Sequence, residues 1–129
     1  MQPELFAHRS PGAQVVTGVV VPALFGLVTG VILGVSEAGY LLLSLLAIPG
    51  GFLAGLEHRA AEEGLLRGVT GGLLFGTFIL FGHAFVGGEA KADLPHPEIL
   101  LVVVTTVAGG LLGLFGGWVR RRRPAQPQT

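Results

Sequence analysis

The chain has 129 residues, half of them apolar and 12% charged, with a mean hydropathy of +0.71. That leaves too little polar surface to clothe an ordinary soluble domain. Formal charge is zero and cysteine is absent, which excludes a disulfide framework, a thiolate metal site and a cysteine nucleophile.

A spanning helix needs about 20 apolar residues, and four such runs with their connections use nearly the whole sequence. The expected fold is one all-α domain, a bundle of four transmembrane helices at 15–35, 38–56, 65–86 and 98–119, with tails at 1–14 and 120–129. The first tail is polar and carries Pro3, Pro11 and Gly12, the pattern of a disordered or interfacial segment.

In the first span, VTGVVVPALFGLVTGVILG, residues Gly18, Pro22, Gly26, Gly30 and Gly34 recur every fourth position. They form a helical stripe where another backbone can dock. Pro22 removes a backbone donor and predicts a kink near the entry side. The run is longer than a signal-peptide core and only Arg9 precedes it, so a retained helix is expected although Ser36-Glu37-Ala38 offers a cleavage-like pattern.

Ser36 caps the second span with Glu37 at its positive dipole end. Tyr40 is placed at the outer interface, and Pro49-Gly50-Gly51 predicts a bend. Ala47, Gly51 and Gly55 form this span's own small-residue row. The connection GLEHRAAEEGLLRG is dense enough in charge to call for water, with Glu63 and Arg67 in favourable i,i+4 order.

The third span carries Gly64, Gly68, Gly72 and Gly76 and ends in Phe81, His83 and Phe85, a boundary suited to headgroups. An irregular loop, GGEAKADLPHPE, leads to the fourth span, with Thr105, Gly109, Gly113 and Gly117 on one stripe. Trp118 and Arg120, Arg121, Arg122 and Arg123 close it as interfacial anchors, the arginines meeting anionic lipid.

A shift of 50 residues lays Gly18 on Gly68 and Leu24-Phe25-Gly26 on Leu74-Phe75-Gly76, and a shift of 59 lays Gly50-Gly51 on Gly109-Gly110. This suggests two tandem helical hairpins related by a pseudo-two-fold axis along the membrane normal. Placing both tails and the Glu57–Arg67 connection on one side gathers every basic residue except Lys91. That bias predicts both termini in the cytoplasm of a cell carrying this protein in its inner membrane.

No Asp, Glu, Lys or Arg lies in the middle of a span, although pumps and ion-coupled transporters usually place such groups at membrane depth. This argues against small multidrug exporters with a deep carboxylate, and the absence of asparagine argues against small four-span fluoride channels. His83, Glu89, Asp93, His96 and Glu98 match no compact metal spacing. The threonines can bond their own helix backbones. No catalytic residue, cofactor, metal or nucleic-acid partner is predicted, and no nucleophile–base pair points to an enzyme.

The PGGFLAGL end of span two, the EHRAAEEGLLRG turn and the GVTGGLLFG start of span three together resemble uncharacterised small glycine-rich four-span membrane proteins of prokaryotes. The resemblance implies an integral bundle and transfers no site residue. The sequence-level expectation is therefore a structural or accessory membrane protein that self-associates or docks on another membrane protein. The alternative is a passive channel or small transporter component formed by an oligomer.

Overall fold

The computed structural model describes residues 5–96 and 98–122, which form an all-helical bundle. Four helices are long and apolar enough to cross a membrane: α1 (Pro11–Leu33), α2 (Glu37–Gly55), α3 (Ala61–Val86) and α4 (Ile99–Arg122). Their outward faces carry large apolar side chains such as Val19, Leu45, Leu66, Val103 and Leu111. In water that would be an aggregation surface, whereas in lipid it is the natural exterior. This is a multi-pass membrane protein.

Local chemistry explains the helix ends. Ser10 accepts from the Ala13 N–H at 3.2 Å with Pro11 opening the first turn of α1, and Ser36 accepts from Gly39 N–H at 3.1 Å to cap α2. α3 ends at Gly87 and Gly88, whose φ values of 77° and 80° lie where side chains with a Cβ rarely go. Pro22 leaves α1 continuous, but Val16–Val20 just before it is π-helical, with Val21 N–H donating to Val16 O. The wider turn takes up the missing donor and the ring's bulk. In α2 the helix likewise runs unbroken through Pro49.

α3 is the centre of the bundle. It packs most extensively on α4, then on α1, while α2 makes lesser contact with α4 and touches α3 and α1 sparsely. The expected pseudo-two-fold axis would make the α1–α2 and α3–α4 hairpins equivalent. Their contacts are very unequal, so the helix packing does not follow that symmetry.

The glycines explain the order. A Cβ on Gly64, Gly68 or Gly72 would fall on the backbone carbonyls of Gly113, Gly109 and Thr105 of α4, and one on Gly109 or Gly113 would fall back on Gly68 and Gly64. Here two backbones are in direct contact. On its other side α3 meets α1, where a Cβ on Gly26 would stand 3.0 Å from Phe75 Cα and one on Gly30 2.8 Å from the Ile79 carbonyl carbon.

Both ends of the bundle are covered. At one, the 87–96 segment turns back: Lys91 N–H donates to Leu33 O at 2.9 Å, and Ala90, Ala92 and Leu94 pack on a core of Leu33, Tyr40, Ile79 and Leu101. At the other, residues expected to be a loose tail are ordered. Phe6–His8 forms a 3₁₀ turn, Leu5 is buried, and Phe6 N–H donates to Glu57 O at 2.9 Å. Helix α1 consequently begins at Pro11, four residues ahead of its apolar run.

Candidate functional site

Of the predicted packing glycines, Gly26, Gly30, Gly68, Gly72, Gly109 and Gly113 sit against a neighbouring helix backbone, and Gly76 against Thr105 and Val102. Gly55 meets Gly113, and Gly117 meets Ala60 and Ala61. Gly34 lies beside Val86 and His83, Gly51 lies against the Leu112 side chain, and Gly18 is covered by the Phe6 ring rather than by a helix. Gly82 and Gly116, outside the i+4 rows, are packed as closely, against Leu27 and Phe52 backbone. Their signal in the sequence is only the i+6 and i+3 offsets from Gly76 and Gly113.

The anchors divide. Trp118 is exposed, stacks on Phe115 and carries the Arg122 guanidinium 4.8 Å from its ring centroid. Arg120 turns back to donate to Leu56 O at 2.8 Å, sealing the end of α2, while Arg121 and Arg122 are exposed. Arg123 lies outside the described residues. Tyr40 is not an outward anchor: it is 8% exposed and turned into the core with Leu33, Ile79 and Leu101. The cluster on which Ala90, Ala92 and Leu94 pack offers its ring more apolar contact than the membrane surface does. His83 is also buried rather than facing headgroups, its Nδ1 without a hydrogen-bond partner.

The main concave feature is a cavity of about 700 Å³ between the four helices. It exists because α3 closes on α4 and on α1 through glycine, while α2 is held mainly toward its ends, by Tyr40 and by Gly55. Its wall is chiefly apolar: Phe75, Ile79 and Leu112, with Ala47 and Val21 opposite, and Gly50 and Gly71, which carry nothing within 4 Å of a Cβ position. Ser44 and Thr105 also belong to the lining, the Thr105 hydroxyl donating to Val102 O at 3.1 Å beside Gly76. The lining follows α3 from Arg67 to Ile79, about 18 Å along a helix axis.

Glu57 and Arg67, the charged members of that lining, lie at one end. Glu57 accepts from Arg9 through both oxygens, at 2.8 and 3.1 Å, and from Arg67 Nη1 at 2.9 Å. Arg67 Nη2 also donates to Thr17 O at 3.3 Å, and the Phe6 ring lies 4.4 Å from its guanidinium. All three side chains are less than a fifth exposed.

The expected Glu63–Arg67 pair does not form. Arg67 points down the bundle to Glu57, and Glu63 stands 3.8 Å from His58 Nδ1. The buried carboxylate presented by the turn offers Arg67 a partner better shielded from water than Glu63, which is mostly exposed. Burial, then the positive charge of Arg67, hold the His58 pKa below its ordinary 6.5, against the opposing pull of Glu63 and Glu57. Among the described residues no three His, Asp or Glu side chains gather to hold a metal.

Chemically, such a site can hold an elongated apolar group along its wall and answer a polar head at one end; nothing in it pairs a nucleophile with a base. Among known proteins, no family model and no solved structure matches the chain. An alignment 73 positions long, covering 53% of the chain, is 40% identical to the Na(+)/H(+) antiporter NhaA 3 of Streptomyces coelicolor. The chain spans only 15% of that protein's length.

Proposed function

We propose that this is a non-enzymatic component of membrane transport that admits an apolar or amphipathic solute from the lipid into the space between its helices. The observation that carries this reading is the cavity: about 700 Å³ lies within the range of small-molecule sites, and its wall suits an apolar guest. The likeness to part of an antiporter supports a transport context. Cation exchange itself calls for ionisable side chains at membrane depth, whereas the charged groups lining this cavity, Glu57 and Arg67, stand at its end. That end also gathers Arg9 and Arg120, with Lys91 opposite, which favours its placement in the cytoplasm.

Docking on a second protein through spare glycine faces has less surface to draw on, since the main rows are taken up inside the chain. The test is photolabelling in liposomes with a diazirine-bearing long-chain hydrocarbon, the adducts being mapped by mass spectrometry. Adducts are expected on half-buried Phe75, Thr105 and Leu112 as well as on lipid-facing Leu45 and Leu111. Gly71→Leu, which fills open cavity space, should remove the first set and keep the second. Labelling of the lipid-facing set alone in the unaltered protein would refute the reading.

A further inference from the structure

We infer that the cavity takes a single-chain amphiphile with a carboxylate head, fatty-acid-like, its head at the Arg67–Glu57 end and its tail toward Tyr40. The inference rests on the cavity reading above and adds the guest's charge, polarity and chain number.

Charge comes first. Among the described residues, the cluster at that end sets two guanidiniums, Arg9 and Arg67, against the single carboxylate of Glu57. Positive charge held mostly out of water gains from a further anion at hydrogen-bonding distance. Arg9 gives both terminal nitrogens to Glu57 and Arg67 gives Nη1 to it, so the place for a head is Arg67 Nη2, whose present acceptor is the neutral Thr17 carbonyl at 3.3 Å; a carboxylate makes the stronger, charge-assisted bond there. Arg67 belongs both to this cluster and to the cavity wall, so a head lying among the lining residues would meet it directly.

Length is the second argument. The lining runs about 18 Å along α3, and the 30 Å hydrocarbon core of a bilayer is two chains deep, about 15 Å each. One acyl chain therefore matches the site from end to end. Its far end is capped by Tyr40, Ile79 and Leu101, with Leu94 of the overlying loop packed on them, a suitable terminus for a methyl group.

Entry is the third. α1 and α2 touch sparsely, and the π-helical stretch of α1 packs on α3. A chain can thus pass sideways from the lipid while its head stays at the membrane surface.

The test places the full chain in phosphatidylcholine nanodiscs at alkaline pH with photoreactive palmitate or the matching photoreactive hexadecanol. Palmitate should label Phe75, Thr105 and Leu112 about tenfold more than the alcohol, the ratio expected of one charge-assisted contact. A diazirine near the head should mark Thr17 and Ala54, and one near the tail Ile79 and Leu101. Arg67→Gln should bring palmitate labelling down to the level of the alcohol. Because that variant risks the fold, the head-to-tail polarity in the unaltered protein is an independent test.

Equal labelling by acid and alcohol, or no polarity, overturns the inference while leaving an apolar cavity intact. Displacement of palmitate by added phosphatidylglycerol would assign the head site to a phospholipid phosphate and also overturn it. Failure of the uncharged hydrocarbon to label the cavity would instead remove the underlying reading.

Discussion

Replacing Gly68 by alanine should cost more than replacing Gly71, three residues along the same helix. On Gly68 a Cβ would fall on the carbonyl of Gly109, 2.6 Å from its carbon, and 3.2 Å from Gly110 Cα; on Gly71 it would meet nothing within 4 Å. Ordinary carbon contacts begin near 3.5 Å, so α3 and α4 must part by about 1 Å, a gap that forfeits a quarter to a half of each dispersion contact along the seam. Backbone cannot rotate away as a side chain can. Gly64, Gly72 and Gly113 share that seam and lose contact together. Both variants gain the helix propensity of alanine, up to about 1 kcal/mol, so their difference isolates packing. Overpacking penalties of about 1–3 kcal/mol put Gly68→Ala roughly 2 kcal/mol below Gly71→Ala. Unfolding in mixed micelles, titrated with sodium dodecyl sulfate and followed by circular dichroism, measures it. Midpoints equivalent to within about 0.5 kcal/mol would refute direct backbone contact.

Glu57→Gln should destabilise the bundle by about 3 kcal/mol, since it leaves the Arg9 and Arg67 guanidiniums facing an uncharged amide. Faster hydrogen exchange over Phe6–Arg9 checks that this carboxylate ties down the N-terminal turn. His58 predicts a pH dependence. Its pKa lies lower in the fold than in the unfolded chain, so its contribution is complete above about 6.5 and is lost as pH falls through the folded value. Thermal midpoints in detergent should drop between neutral and mildly acidic pH, and His58→Gln should flatten that slope.

The spans were legible because bilayer thickness sets a length that hydropathy alone detects, and α1 to α4 fall within a few residues of the predicted runs. The rows at Gly26 and Gly30, and at Gly68 and Gly72, were legible because i+4 spacing puts small residues on one stripe. Partner choice was not. Nothing local says that Gly68 meets Gly109 while Gly26 meets Phe75, so repeated glycines suggested a symmetry that the packing lacks. The ion cluster was hidden for a similar reason. Arg67 has an acid four residues before it, yet pairs with one ten residues away because the connection and the N-terminal 3₁₀ turn bring Glu57 and Arg9 to the same end. Tyr40 was misplaced because the cluster that buries it is completed by Ala90, Ala92 and Leu94, in a loop far along the chain.

The cavity follows from how the glycines are shared out. In lipid, leucine gains little by leaving acyl chains, so helices close only where backbones can approach. α3 spends Gly64, Gly68 and Gly72 on α4, while Gly82 of α3 and Gly26 and Gly30 of α1 close the α1–α3 contact. α2 has such contact only toward its end, where Gly55 meets Gly113 and Phe52 receives Gly116, and Tyr40 holds the other end. Between those points Gly50 and Gly71 face open space and no row pulls α2 inward. A void so bounded lies beside sparse α1–α2 contact, and the proposal that acyl chains enter it makes its charged end the point of selection. On the reading proposed above, the guest is selected at Arg67 and Glu57, and the glycine rows serve that function by drawing in only the Phe52–Gly55 end of α2 and leaving its middle apart.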